Sequence, residues 1–250
     1  MPRVSVCAEM VFDDEPFHKR ITRAAEVGAD AVEFWGWREK DLAAIETAAT
    51  EADIPIVGCV ADAPLTDPAR TDDAIARVRE AIDAAATMGC PNLIATTGQD
   101  QAGIDRATQH DNIVDVLSTV VPAATDADVT IVLEPLNTIV DHPGYYLTAS
   151  QEGFDIVDEV DSPNVKLLYD VYHQQITEGN IIQTVTENLD QIGHIHMADV
   201  PGRHEPGTGE LNYTHILSAL EDAGYDGYVG CEFSPIGDPE DAIRTVLNSR

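Results

Sequence analysis

The fold class predicted by the sequence is α/β: a (β/α)8 TIM barrel forming a single domain over residues 1–250. Three observations predict it. Short apolar runs alternate with segments of helical period from end to end, there are eight such runs, and no low-complexity linker interrupts the 250 residues. A barrel of this kind routinely occupies that length as one domain. A doubly wound open sheet normally has fewer strands, and no Gly-x-Gly-x-x-Gly follows the first strand.

The strands are predicted near Val4–Ala8, Ala31–Phe34, Ile54–Val60, Asn92–Thr96, Val129–Glu134, Val165–Asp170, Ile192–Ala198 and Gly227–Glu232. Between them apolar residues recur at spacings of three and four. Ile75, Val78 and Ile82 mark one helix, and Ile113, Val114, Leu117 and Val121 mark the next, so each should bury a single stripe. The helix after the fifth strand is predicted to begin near Leu147 and Thr148, with Thr148 as N-cap and Glu152 in its first turns. It should end before Asp161-Ser162-Pro163.

Fourteen basic residues against 45 acidic ones give 14 − 45 = −31. Such a charge repels nucleic-acid phosphates and anionic membrane surfaces. Lysine is confined to Lys19, Lys40 and Lys166, and acids crowd helical stretches such as Asp72–Asp83, a halophilic pattern in which salt screens self-repulsion. Cys7, Cys59, Cys90 and Cys231 stand singly without Cys-x-x-Cys spacing, as expected of reduced, semi-buried thiols. No apolar signal region opens the chain, and nowhere do eighteen apolar residues run together. The expectation is a soluble, cytoplasmic protein with a small-molecule substrate, with neither nucleic acid nor membrane as partner. Assembly as a homo-oligomer is compatible with this pattern.

In a barrel of this type the chemistry lies at the C-terminal strand ends. TIVLE ends at Glu134, KLLYD at Asp170, HIH brings His196 near the end of the seventh strand, and GYVGCE ends at Glu232. The separations of 36, 26 and 36 residues correspond to one βα unit each, so four adjacent staves point their last inward side chains into one cup. Two residues back, Val132, Leu168, His194 and Gly230 share the inward face one layer lower, which makes His194 a core histidine. Each acid alone could equally cap a helix or meet solvent. Buried together, the four require a cation, because like charges in a low dielectric repel and desolvation adds several kcal/mol per ion. Three carboxylates and one imidazole form a hard donor set that suits one divalent metal ion, Mn2+ or Mg2+, better than structural zinc.

The segments LEPLN, DHPGYYLT, YDVYHQQ, IGHIHMAD, GRHEPGTGELNY and DGYVGCEFSP together resemble the hydroxypyruvate isomerases of the xylose isomerase-like barrel superfamily. The likeness is dense over residues 129–233 and thinner before, where GADAVEFWG still fits. The resemblance implies a metal held by Glu134, Asp170, His196 and Glu232, with Glu134 and Glu232 also serving as the acid/base pair of an isomerisation through an enediolate. One position departs from it. Hydroxypyruvate isomerases often carry Gln where this chain has His196, whereas ketose 3-epimerases carry His. YDVYH also looks like the epimerase Asp-x-x-His pattern, which implies His173 beside the substrate oxygens.

A hydroxypyruvate carboxylate needs a local cation. Arg203, in a loop punctuated by Pro201, Gly202, Pro206, Gly207 and Gly209, has the planar fork for it; a surface pairing with Glu205 or Glu210 is the alternative. His204 has no assigned role, and Glu33, Trp35 and Trp37 stand between lining the pocket and making a subunit contact. The competing functions are a ketose 3-epimerase or another sugar isomerase such as one for 2-oxo-tetronate, an endonuclease IV-like repair enzyme, and a noncatalytic sugar-binding protein. The repair enzyme requires a multi-zinc cluster rich in histidine, and the first half of the chain supplies only His18 and His110.

Overall fold

The computed structural model describes residues 1–13 and 15–249. Eight parallel strands close on themselves in the order β1 to β8: β1 Arg3–Cys7, β2 Ala31–Glu33, β3 Ile56–Ala61, β4 Asn92–Ala95, β5 Thr130–Leu133, β6 Val165–Asp170, β7 Ile192–Met197 and β8 Tyr228–Cys231. Closure is made by β8 on β1, in register from Arg3 opposite Tyr228 to Val6 opposite Cys231. Every predicted strand is present within two residues of its expected ends.

The helices form the outer layer: α1 Phe17–Val27, α2 Leu42–Glu51, α3 Thr71–Thr87, α4 Arg106–Asp126, α5 Ser150–Val160, α6 Val171–Thr177, α7 Ile181–Glu187, α8 Tyr213–Asp222 and α9 Pro239–Ser249. The unit after β6 carries two short helices instead of one. In α4 the buried stripe is Ile113, Val116, Leu117, Val120 and Ala124, with Val114 and Val121 at its margin. The start of α5 is a correction: it begins at Ser150 after Ala149, and Thr148 is not its cap. The backbone just before the helix is already engaged, since Leu147 O accepts from Leu136 N and Thr148 O accepts from Gln174 Nε2, which holds Thr148 in the preceding loop. All four cysteines are free, and they are fully buried, not half-buried.

The barrel interior divides into two kinds of filling. On one side Ile94, Val132 and Leu168 pack together with Val60 against them. On the other lie Ser5, Glu33 and His194, all buried and polar. Two glycines make room for this polar half. A Cβ on Gly230 would sit 2.3 Å from Glu33 Oε1 and 2.7 Å from His196 Cδ2, and one on Gly58 would sit 3.1 Å from Glu33 Cβ. Dispersion fills one half of the interior, and hydrogen bonds must satisfy the other.

Candidate active site

The ends of β5 to β8 deliver Glu134, Asp170, His196 and Glu232 to one place. One ligand atom from each lies within 4.8 Å of the others, and all four residues are buried. Donors on opposite sides of a six-coordinate Mg2+ are separated by roughly 4 Å and around Ca2+ by roughly 5 Å, so the spacing suits a single divalent ion. Two of the inward atoms, Glu134 Oε1 and His196 Nδ1, have no hydrogen-bond partner. A buried carboxylate oxygen left open in a hard donor set, such as Glu134 Oε1, is what an ion would satisfy.

Asp170 and His196 are each held from behind. Asp170 caps α6, its Oδ1 accepting from Tyr172 N at 2.7 Å and His173 N at 3.2 Å, which leaves Oδ2 for the cup. The helix-capping alternative and the ligand reading therefore use different oxygens of one carboxylate. His196 lies over Glu33, with Nε2 2.9 Å from Glu33 Oε1, and turns Nδ1 toward Glu232 Oε2 at 3.4 Å and Glu134 Oε1 at 3.6 Å. The approach of His196 Nε2 to Glu33 Oε1 is an ion-pair contact; the hydrogen bonds of Glu33 are made by Oε2, with His194 Nε2 at 2.8 Å and from Ser5 Oγ at 2.9 Å. His194 is thus the core histidine expected, and Glu33 is the buried anion beneath both imidazoles. The strand-end reasoning applied to β5 through β8 would have singled out Glu33 on β2 as well. Glu33 groups with His194 and His196 and not with Glu134, Asp170 and Glu232.

Electrostatics follow from this crowding. Burial opposes charge on His196, yet Glu232 and Glu33 override it and hold its pKa well above the ordinary histidine value. Burial likewise opposes ionisation of Glu232, but His196 and Arg203 keep its carboxyl well below the usual range. For Asp170, burial and then Glu232 push the pKa up. Glu33 is held down by His196 and His194 against its own desolvation. His196 and Arg203 are the positive partners that favour the ionised form of Glu232.

Arg203 stands at the cup's rim in a left-handed conformation, φ 57°. Its Nη2 pairs with Glu232 Oε2, not with Glu205 or Glu210. Glu205 instead accepts from Ile236 N, and Glu210 from Gln175 Nε2. Trp35, unassigned from sequence, donates Nε1–H to Glu232 Oε1 at 2.7 Å and lines a cavity of about 230 Å3 together with Val60, Ile94, Leu136, His142, His173 and Arg203. Trp37 packs against the core away from these lining residues. His204 joins two rim loops through Nδ1 and Ser234 O at 2.7 Å.

His173 also reaches the cavity. Its Nδ1 accepts from Asn137 N at 3.2 Å and meets Asn137 Nδ2 at 2.7 Å, so the ring's proton resides on Nε2. Nε2 has no partner and lies 3.6 Å from Asp170 Oδ2. Burial drops its pKa to about 4, which makes it a neutral donor at pH 7. Larger depressions of about 630 and 560 Å3 open at the opposite end of the barrel, around Lys166 and Pro55. Among the described residues neither gathers a metal-ligating cluster, and no helix is long and apolar enough to cross a membrane.

Residues 21–249 match the family model described as xylose isomerase-like TIM barrel. The chain is 31% identical to hydroxypyruvate isomerase of Escherichia coli strain K12, with 98% of each chain covered. It is 33% identical to 2-oxo-tetronate isomerase of Cupriavidus necator, with 94% of each covered. A solved structure titled AP endonuclease, family 2, from Brucella melitensis superimposes with a TM-score of 0.95 at 29% identity over the whole of both chains.

Proposed function

From the premise that this chain belongs to the xylose isomerase-like TIM barrel family, we propose that it is a metal-dependent isomerase of a short 2-oxo acid, interconverting hydroxypyruvate and tartronate semialdehyde (2-hydroxy-3-oxopropanoate). The observation that carries this reading is the convergence of Glu134, Asp170, His196 and Glu232 within 4.8 Å, with Arg203 at the same rim. The related isomerases of hydroxypyruvate and 2-oxo-tetronate both bear names of carboxylate substrates, and a guanidinium is the group that would hold such a carboxylate.

The reaction removes a proton from C3, returns one to C2, and passes the hydroxyl proton from the C3 oxygen to the C2 oxygen, through an enediolate. Glu134 and Glu232 flank the cup from β5 and β8 and are the acid/base pair for the two carbon-bound protons. A divalent cation held by the four residues would supply positive charge where the two oxygens become negative. Neutral His173 offers Nε2–H to one of those oxygens. Val60, Ile94, Leu136 and Trp35 wall the cavity and keep bulk water from the carbanionic carbon.

Turnover of hydroxypyruvate, 2-oxo-tetronate and free ketoses, assayed with Mn2+ or Mg2+ in high salt, tests the reading. Hydroxypyruvate should give the highest kcat/KM, and chelation should abolish it. Faster conversion of a neutral ketose than of either 2-oxo acid would replace this reading with a 3-epimerase.

A further inference from the structure

The loop that presents Arg203 is built around one carboxylate, that of Asp199. The side chain is wholly buried, and backbone amides are its hydrogen-bond partners. Its two oxygens accept four backbone N–H groups from its own loop. Oδ1 takes Val200 N at 2.9 Å and Leu211 N at 3.1 Å; Oδ2 takes Gly207 N and Gly209 N, each at 2.9 Å. Its backbone closes the ring further, Asp199 N donating to His204 O at 2.8 Å and Asp199 O accepting from Arg203 N at 3.1 Å. Gly209 passes so close that a Cβ there would lie 2.1 Å from Val200 O and 2.6 Å from Asp199 Oδ1.

Such a carboxylate fixes twelve residues of loop about a single point, and Arg203 is held at positive φ where the loop turns. A left-handed arginine in a loop has no local reason to stay there. The surrounding bonds over-determine it.

We propose that Asp199 is the positioning residue for Arg203: it holds the guanidinium at the rim for a substrate carboxylate while touching neither substrate nor metal ligands. This rests on the carboxylate-gripping role given to Arg203 above. Asn in place of Asp199 is nearly isosteric but keeps only one acceptor oxygen. Whichever way the amide faces, its NH2 opposes two backbone N–H donors, so the loop must open on one side.

The test compares Asp199→Asn, Arg203→Ala and the double variant, using KM for hydroxypyruvate and, independently of turnover, calorimetric binding of tartronate to Mn2+-loaded protein. Tartronate is a dicarboxylate that cannot isomerise. Arg203→Ala should weaken both by about thirtyfold or more. Asp199→Asn should weaken both by about tenfold or more, leave the Mn2+ dissociation constant within about twofold, and add nothing further in the Arg203→Ala background. A structural role unrelated to Arg203 would instead persist in the double variant. Should Arg203→Ala weaken binding while Asp199→Asn does not, or should the two losses add, the inference is overturned and the reading of Arg203 stands. If Arg203→Ala itself changes neither measurement, both fall. Gly209→Ala distorts the same ring without altering the carboxylate, and it carries the same outcomes if Asp199→Asn does not fold.

Discussion

At the level of single residues, the chemistry of the cup is governed by which atoms remain open. Glu232 and Glu33 outweigh the burial of His196 and hold its pKa well above the ordinary histidine value, which favours a proton on the ring. A metal ligand must present a free lone pair, so that proton has to leave when an ion binds. Mn2+ titrations in buffers of different ionisation enthalpy should therefore show release of about one proton per ion at pH 7; an enthalpy independent of buffer would contradict this. Glu232→Gln makes a second test. The carboxamide keeps an oxygen donor but cannot accept the substrate's carbon-bound proton, so kcat should fall by at least about a hundredfold while some Mn2+ affinity survives. Retained turnover would remove Glu232 from the acid/base pair. The four candidate ligands were legible from sequence because each ends a strand one βα unit after the last. Trp35 and Asn137 were not, since their roles depend on side chains meeting across the barrel: Trp35 donates to Glu232, 197 positions away, and Asn137 fixes the tautomer of His173.

At the level of elements, strands were easier to place than helix starts. An apolar run in a parallel barrel strand is buried on both faces and announces itself. The start of α5 depends instead on which backbone groups the preceding loop has already taken, and the pairing of Leu136 with Leu147 is invisible in the sequence of the helix itself. Layering is likewise a property of neighbouring strands, and Glu33 groups with His194 and His196 and not with Glu134, Asp170 and Glu232. The same layering predicts the cost of filling β8. Gly230→Ala inserts a methyl group 2.3 Å from Glu33 Oε1, and either the carboxylate or His196 must move. Overpacking of this kind costs about 1–3 kcal/mol, so chemical denaturation should show a loss in that range together with weaker Mn2+ binding. Unchanged stability would mean that the polar half of the interior is more compliant than its distances imply.

For the molecule as a whole, the balance of 45 acids against 14 bases dominates behaviour in solution. The Debye length falls from about 30 Å at 0.01 M salt to about 3 Å at 1 M, so repulsion between exposed carboxylates is largely removed in concentrated salt. The thermal midpoint should rise from low to multimolar NaCl, and a flat response would rule out a halophilic character. Concentrated salt also strips away the long-range repulsion that keeps two copies of the protein from colliding, while it strengthens apolar attraction. Colloidal protection must then come from shape. Because β8 returns to β1, the sheet offers no free strand edge on which another chain could template. Closure of the barrel therefore guards against aggregation under the very conditions in which charge no longer can.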